Sequence, residues 1–363
     1  MPTSDGQCHP HRSLSLLSRL VLPAPADTDL KKDLLNLTQN EFADLIDIAA
    51  SNHVIVRGLE AYFERVSTDD DPIRADWARS SLHAEHTRIA KAVTYLEEVC
   101  GVLEQNECKA VVIKSLDHWP DLGSDLDLFT NSPSERVIEL MQSRFDARIA
   151  QRSWGDRLAG KWNFILPGLP EAIEIHVDRL GQTGEQATIA ESLLDHARLI
   201  RVGGGSFRAT AVHDRLMIST LQRMYRHFYF RLCDVVDTAA LDDAGSINYE
   251  LLRASAAAAG IWEGVATYLA IVSDYAQCYR GRGLTLPLFV RESARFGGEQ
   301  VYFARSFLRV PIVPQSARLY GSQLAGVLGR GELRNGARLS LLPWLATAAV
   351  IGQKLTGSDK GIW

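Results

Sequence analysis

Cysteine is scarce in this chain. Five residues in 363, Cys8, Cys100, Cys108, Cys233 and Cys278, stand at wide spacings with no Cys-x-x-Cys. That odd, scattered set excludes a dense disulfide framework and a thiolate zinc site, and reduced thiols in a cytoplasmic protein are expected. Long apolar runs are missing as well, and none reaches the roughly 18 residues needed to span a bilayer. The most apolar late segment, Leu341 to Ile351, is short and contains Pro343. At the N-terminus, His9, His11 and Arg12 precede a Leu-rich patch that lacks the core and cleavage site of a signal peptide. There is no Gly-x4-Gly-Lys-[Ser/Thr] P-loop and no Gly-x-Ser-x-Gly elbow. Gly326, Gly329 and Gly331 are not in dinucleotide-binding order, and no good strand precedes them. An overall basic excess is absent too. The net charge of −5 gives no global footprint for nucleic acid or an anionic membrane.

What is present fits a globular chain of two or three compact units, with 46% hydrophobic and 23% charged residues. Residues Met1 to Asp29 read as a flexible leader broken by Pro23-Ala24-Pro25-Ala26. Residues 30–103 read as a helical N-terminal region. Within it, Thr38 and Glu41 form a capping box for a helix to about Ala50, and a second helix runs from His53 to Arg65. A third starts near Pro72, with an interruption expected around Ser80, and runs to Cys100. No chemistry is apparent in these hundred residues. From about Glu104 strands alternate with helices, so residues 104–211 read as an α/β or α+β unit. Residues 212–363 read as a helical C-terminal domain, helical from Val212 to about Ala240 and again from Tyr249 to Tyr279.

The densest chemistry lies between Val111 and Phe129. An apolar run, Ala110 to Ile113, stops at Lys114-Ser115, and nine residues follow, among them Trp119-Pro120 and Gly123-Ser124. Then Asp125-Leu126-Asp127-Leu128-Phe129 alternates acid with apolar, the pattern of a strand with one buried face. Asp125 and Asp127 then share a face, and two like charges so close call for a cation or a shared proton. Carboxylate oxygens suit Mg²⁺ or Mn²⁺. In Ala172–Asp178 the same alternation puts Glu174, His176 and Asp178 on one face. The bland reading of either stretch is a solvated strand edge.

These residues carry a resemblance. The order apolar strand, Lys114-Ser115, a Trp-Pro turn and Asp125-x-Asp127 is similar to the signature of the DNA polymerase β-type nucleotidyltransferase superfamily, and most of all to a bacterial nucleotidyltransferase group within it. The superfamily's Gly-Ser or Gly-Gly pair stands here as Lys114-Ser115. Glu174-Ile175-His176 matches the group's acidic residue before x-His, and His227, Arg231 and Asp234 match its His-x-x-x-Arg-x-x-Asp. The likeness covers about Ala84 to Tyr279.

The resemblance implies a polymerase β-like fold and a metal-dependent transfer of NMP from an NTP, with ATP guessed, to a hydroxyl of a small molecule, a protein or an RNA end. Asp125, Asp127 and Glu174 become the catalytic, metal-holding acids, and Ser115, Gly123, Ser124 and Lys114 the phosphate-binding set. Glu174 could also take the acceptor's proton. His176 is an accessory contact or a structural histidine. His227 and Arg231 touch nucleotide or lock the helical domain to the sheet, and Lys114 is a phosphate contact or a structural ion pair. Trp154 and Trp162 could stack a base, although packing is the commoner role. Two other readings stand beside this one: a catalytically silent protein that binds nucleotide or a partner, and a toxin-like enzyme acting on tRNA. The second draws on the basic stretch Val301 to Lys354. There Arg305, Arg309, Arg318, Arg330, Arg334, Arg338 and Lys354 face only Glu332, a possible RNA or protein contact or simply a solvated face.

Overall fold

The computed structural model describes residues 12–24, 27–66, 70–304 and 306–345. Four helices open the chain: α1 (Arg12–Val21), α2 (Leu30–Leu35), α3 (Gln39–Ser51) and α4 (Ile55–Arg65). The Thr38–Glu41 capping box is formed and starts α3. The leader expectation fails over its described part. Leu14, Leu16, Leu17 and Leu20 of α1 are buried in the core, and Ser18 Oγ lies 2.7 Å from the Tyr275 hydroxyl across the molecule. A leucine stripe of this density gains more by burial than the chain loses in entropy by ordering. Residues 1–11 and the Pro25-Ala26 pair lie outside the described residues.

Helix α5 (Pro72–Gln105) runs 34 residues without the interruption expected near Ser80, because no glycine or proline falls between Ile73 and Cys100. The Asp71 carboxylate caps it, accepting from the backbone N–H groups of Ile73 and Arg74.

The sheet then assembles from β1 (Ala110–Val112), β2 (Asp125–Thr130), β3 (Arg148–Ile149), β4 (Lys161–Ile165), β5 (Ala172–Val177), β6 (Arg198–Val202) and β7 (Gly205–Ala209). Between these strands lie α6 (Ser134–Phe145), α7 (Trp154–Leu158) and α8 (Ala187–His196). The strand order is β3-β4-β5-β2-β1-β7-β6. The β4–β5 and β6–β7 hairpins are antiparallel, as their turns suggest, while β2–β5 and β1–β7 are parallel. The architecture is mixed α+β.

The strands of this sheet sort their side chains between two cores. Val112, Leu126, Leu128, Ile173 and Ile175 pack against α5 and α6. Val111, Ile113 and Phe129 face the other way and join a cluster built from α1 to α4 and from the second half of the chain. The 30–103 region is therefore split: α3 and α4 belong with the C-terminal helices, and much of α5 with the sheet.

The second half contains α9 (Val212–Thr220), a π-helical turn Leu221–Arg226, β8 (Tyr229–Phe230), α10 (Leu232–Asp243), α11 (Tyr249–Ala258), α12 (Trp262–Arg280) and α13 (Leu288–Ser293). After these come β9 (Tyr302–Ala304), β10 (Phe307–Arg309), α14 (Ala317–Gly329) and α15 (Leu333–Ser340). The helix expected from Val212 to Ala240 is broken. Phe228 takes φ +55°, and β8 pairs with β10, a strand nearly eighty residues later. A long-range ladder of this kind leaves no local trace in the sequence. Among the described residues, no helix is long and apolar enough to cross a membrane. Cys100, Cys108 and Cys233 are free thiols, but Cys278 is disulfide-bonded, which corrects the expectation of reduced thiols throughout.

Candidate active site

The β2–β5 register pairs Asp127 directly with Glu174 on neighbouring parallel strands. Period-two alternation adds Asp125 and His176 to the same face. Asp125, Asp127 and Glu174 all line one cavity of 260 Å³, with Lys114, Ser115, Gly123 and Ser124 around it. His176 completes the acid cluster with its Nε2 2.8 Å from Glu174 Oε1 and 3.7 Å from Asp127 Oδ1, and its Nδ1 is buried without a partner. The sequence-derived metal- and phosphate-binding residues therefore all line one cleft, with His176 beside it.

The turn that carries half of them is unusual. Ser115 N–H donates to Ile113 O at 2.6 Å across Lys114, whose φ is +62° and ψ −54°. That is a γ-turn in its rare, strained form. The Lys114 ammonium contacts Asp127 Oδ1 and lies 3.6 Å from Glu174 Oε1. Ser115 is used locally: its Oγ accepts from the Asp127 N–H at 2.7 Å and fixes the start of β2. Gly123 has no room for a side chain, since a Cβ would stand 2.9 Å from the His53 ring.

Three arginines from three helices hold the turn in place. Arg57 donates to the Asp121 carboxylate at 2.6 Å and to His118 O, and Arg88 donates to the carbonyls of Leu122 and Gly123. Arg215 donates to Asp117 O. Behind the turn, Asp237 collects Arg57, His118 and Arg215. Burial alone would push His118 down, but Cys233 and Asp237 hold it up, to about 10.

The acids differ in protonation. Desolvation raises the Asp125 carboxyl, and the charges of Asp127 and Glu174 raise it further. Among the described residues Asp125 makes no ion pair. Glu174 goes the other way. Burial opposes its charge, but Lys114, His176 and Lys161 outweigh burial and hold it well below the usual carboxylate range. Lys161 was not singled out in the sequence. Its ammonium bridges Glu174 at 3.0 Å and Asp156 at 2.9 Å. Its antiparallel pairing with His176 puts it there.

Opposite the acids the lining is basic: Arg223, Arg226, His227 and Arg231, with His53 from the N-terminal helical region. Arg223 is neutralised by Asp234 at 2.7 Å. Among the described residues, Arg226 and Arg231 have no carboxylate partner. Desolvation first, and then Arg231 at His53 and Arg226 at His227, push both rings down to about 2, so both are neutral beside guanidinium charge. His227, Arg231 and Asp234 do not share a helix face, as their spacing had suggested. His227 follows the π-turn, and Arg231 precedes α10 with its N–H donated to Asp234 at 2.7 Å. Trp154 and Trp162 stay outside the cavity lining. Trp154 is exposed, and Arg152 stacks on Trp162 at 3.7 Å.

Lys114, Gln222 and Arg226 also line a second, adjoining cavity of 320 Å³, whose other walls include Leu180, Ile218, Leu221, Tyr225 and Phe228. No protein-family model, curated protein or solved structure matches this chain.

Proposed function

We propose that the chain is a divalent-metal-dependent nucleotidyltransferase of polymerase β-like fold, moving an NMP group from an NTP to a hydroxyl acceptor with release of pyrophosphate. One observation carries this reading: an acidic floor on β2 and β5 faces a wall in which Arg226 and Arg231 have, among the described residues, no carboxylate of their own. Paired carboxylates ask for cations and unpaired guanidiniums ask for anions, and a metal–triphosphate brings both.

The donor set fits magnesium or manganese: oxygen donors from Asp125, Asp127 and Glu174, and an Asp125 carboxyl raised in part by its acidic neighbours. When bound, such ions supply charge neutralisation at the α-phosphate and hold the attacking and leaving oxygens. The chain's own residues do the rest. Arg226 and Arg231 take the β- and γ-phosphate oxygens. Ser124, at the open rim, donates its hydroxyl. The Lys114 ammonium moves from Asp127 to phosphate when nucleotide enters.

The acceptor oxygen then bonds to the α-phosphorus, the bond from that phosphorus to the bridging oxygen breaks, and pyrophosphate leaves with the electron pair. The acceptor's proton passes to a carboxylate. Asp125 and Glu174, both on the acidic face, are the carboxylates within the cleft that can take that role. The adjoining apolar cavity is the acceptor compartment and favours a molecule with an apolar body.

An RNA acceptor held by the basic C-terminal stretch has less support. Arg338 donates to the carbonyls of Thr183 and Gly184, Arg330 pairs with Glu332, and Arg309 stacks on Tyr229. Arg305 and Lys354 lie outside the described residues. The test is pyrophosphate release from NTPs with Mg²⁺, by wild type and by Asp127→Asn. Turnover that the substitution abolishes supports the proposal. Tight NTP binding with no turnover under any acceptor mixture supports the silent, nucleotide-binding reading.

A further inference from the structure

A second constellation lies outside this cleft. His196 ends α8, and His213 and Asp214 stand in the first turn of α9. His213 Nε2 is 3.2 Å from His196 Nδ1, His196 Nδ1 is 3.1 Å from Asp214 Oδ2, and His213 Nε2 is 3.5 Å from Asp214 Oδ1. Two ligands of a tetrahedral zinc ion, bonded at about 2.0–2.1 Å, are about 3.3 Å apart. The three separations lie near that edge, the two Asp214 contacts being made by its two different oxygens, and one ligand atom from each residue lies within 4.8 Å of the others. A hydrogen-bonded network alone leaves something unexplained: Asp214 is fully buried, and its Oδ1 has no hydrogen-bond partner. A buried carboxylate oxygen whose nearest donor, His213 Nε2, stands 3.5 Å away is costly to leave so, and a cation there relieves it.

We infer that His196, His213 and Asp214 form a binding site for a first-row transition dication, zinc foremost, distinct from the acidic cleft. Two imidazoles and one carboxylate select zinc over magnesium, which takes oxygen donors. His196 is the partly exposed member and gives the ion a way in. His213 also borders a cavity of 290 Å³ with Arg198, Ser246 and Asn248, which leaves room for water as the fourth ligand. The site clips the end of α8 to the start of α9, the helix that leads into the turn bearing Arg223 and Arg226. Its role is therefore structural, setting the pose of the cleft's basic wall.

The test uses the full chain, stripped with a chelator and titrated with Zn²⁺ alone, in wild type, Asp127→Ala, His196→Gln and His213→Gln. The expected result is one high-affinity equivalent in wild type and Asp127→Ala, weakened about 100-fold or more in both histidine variants. Zn²⁺ should also raise the unfolding temperature of wild type and not of His196→Gln, whose partly exposed side chain is dispensable for folding. Cobalt(II) substitution should give the visible absorption of a tetrahedral site. Unchanged affinity in the histidine variants, or a zinc equivalent lost in Asp127→Ala instead, would overturn the inference.

Discussion

Lys114 adopts a positive φ that glycine would take without strain, and its ammonium lies against the acids of the cleft. Backbone and side chain can be separated. Lys114→Ala keeps the strained turn and loses the charge, whereas Lys114→Gly loses both. The glycine variant should be the more stable of the two by about 1 kcal/mol or more in urea unfolding. Equal stabilities would remove the strain argument. Arg226 and Arg231 are tested with a simpler probe. Substituting either with alanine should weaken binding of inorganic tripolyphosphate about tenfold or more, since a charged hydrogen bond contributes about 1.5–3 kcal/mol. Isothermal titration of the three proteins reads this directly, and unaltered affinity in both variants would place the anion elsewhere. At this scale the acids were legible in the sequence because alternation fixes which side chains share a face. His53 and Lys161 were not, because their places depend on a distant helix and on a cross-strand pairing that no local pattern encodes.

The turn between β1 and β2 is an element fixed from outside. Arg57 on α4, Arg88 on α5 and Arg215 on α9 reach it from far along the chain, and Asp237 on α10 ties two of them together. Removing one charge from a buried network leaves the rest uncompensated, so Asp237→Asn should cost about 3–5 kcal/mol in chemical unfolding. A loss below about 1 kcal/mol would mean that the turn is held by packing alone. The same network gives a pH dependence. The folded His118 pKa is raised to about 10 from an ordinary value near 6.5. Its stabilising contribution is therefore complete below pH 6.5 and is lost as pH rises towards 10. Unfolding free energies measured across that window should fall for wild type and flatten for His118→Gln. Strands and hairpins were readable here from alternation and turn residues. The break after Arg226 was not, because β8 exists only through its pairing with β10.

At the scale of the whole molecule, the two cores meet at the sheet, and the acidic face of β2 and β5 looks towards the helical second half that supplies the arginines. Helix α1 is part of that assembly. Leu17, almost fully buried, should cost about 2–5 kcal/mol when cut to alanine, where a loosely attached leader would give a change within about 0.5 kcal/mol. The alternation of strands and helices made a sheet with covering helices legible but left α/β and α+β both open, because strand direction depends on long-range pairing. The joining of the first and last helical stretches into one cluster was not legible, because nothing in either announces the other. The account as a whole is tested most directly by a crystal structure of the full chain soaked with Mn²⁺ and a non-hydrolysable NTP analogue. It predicts anomalous manganese density between Asp125, Asp127 and Glu174, phosphates against Arg226 and Arg231, and the Lys114 ammonium drawn off Asp127. Nucleotide bound elsewhere, or acids still capped by Lys114 with no manganese beside them, would contradict it.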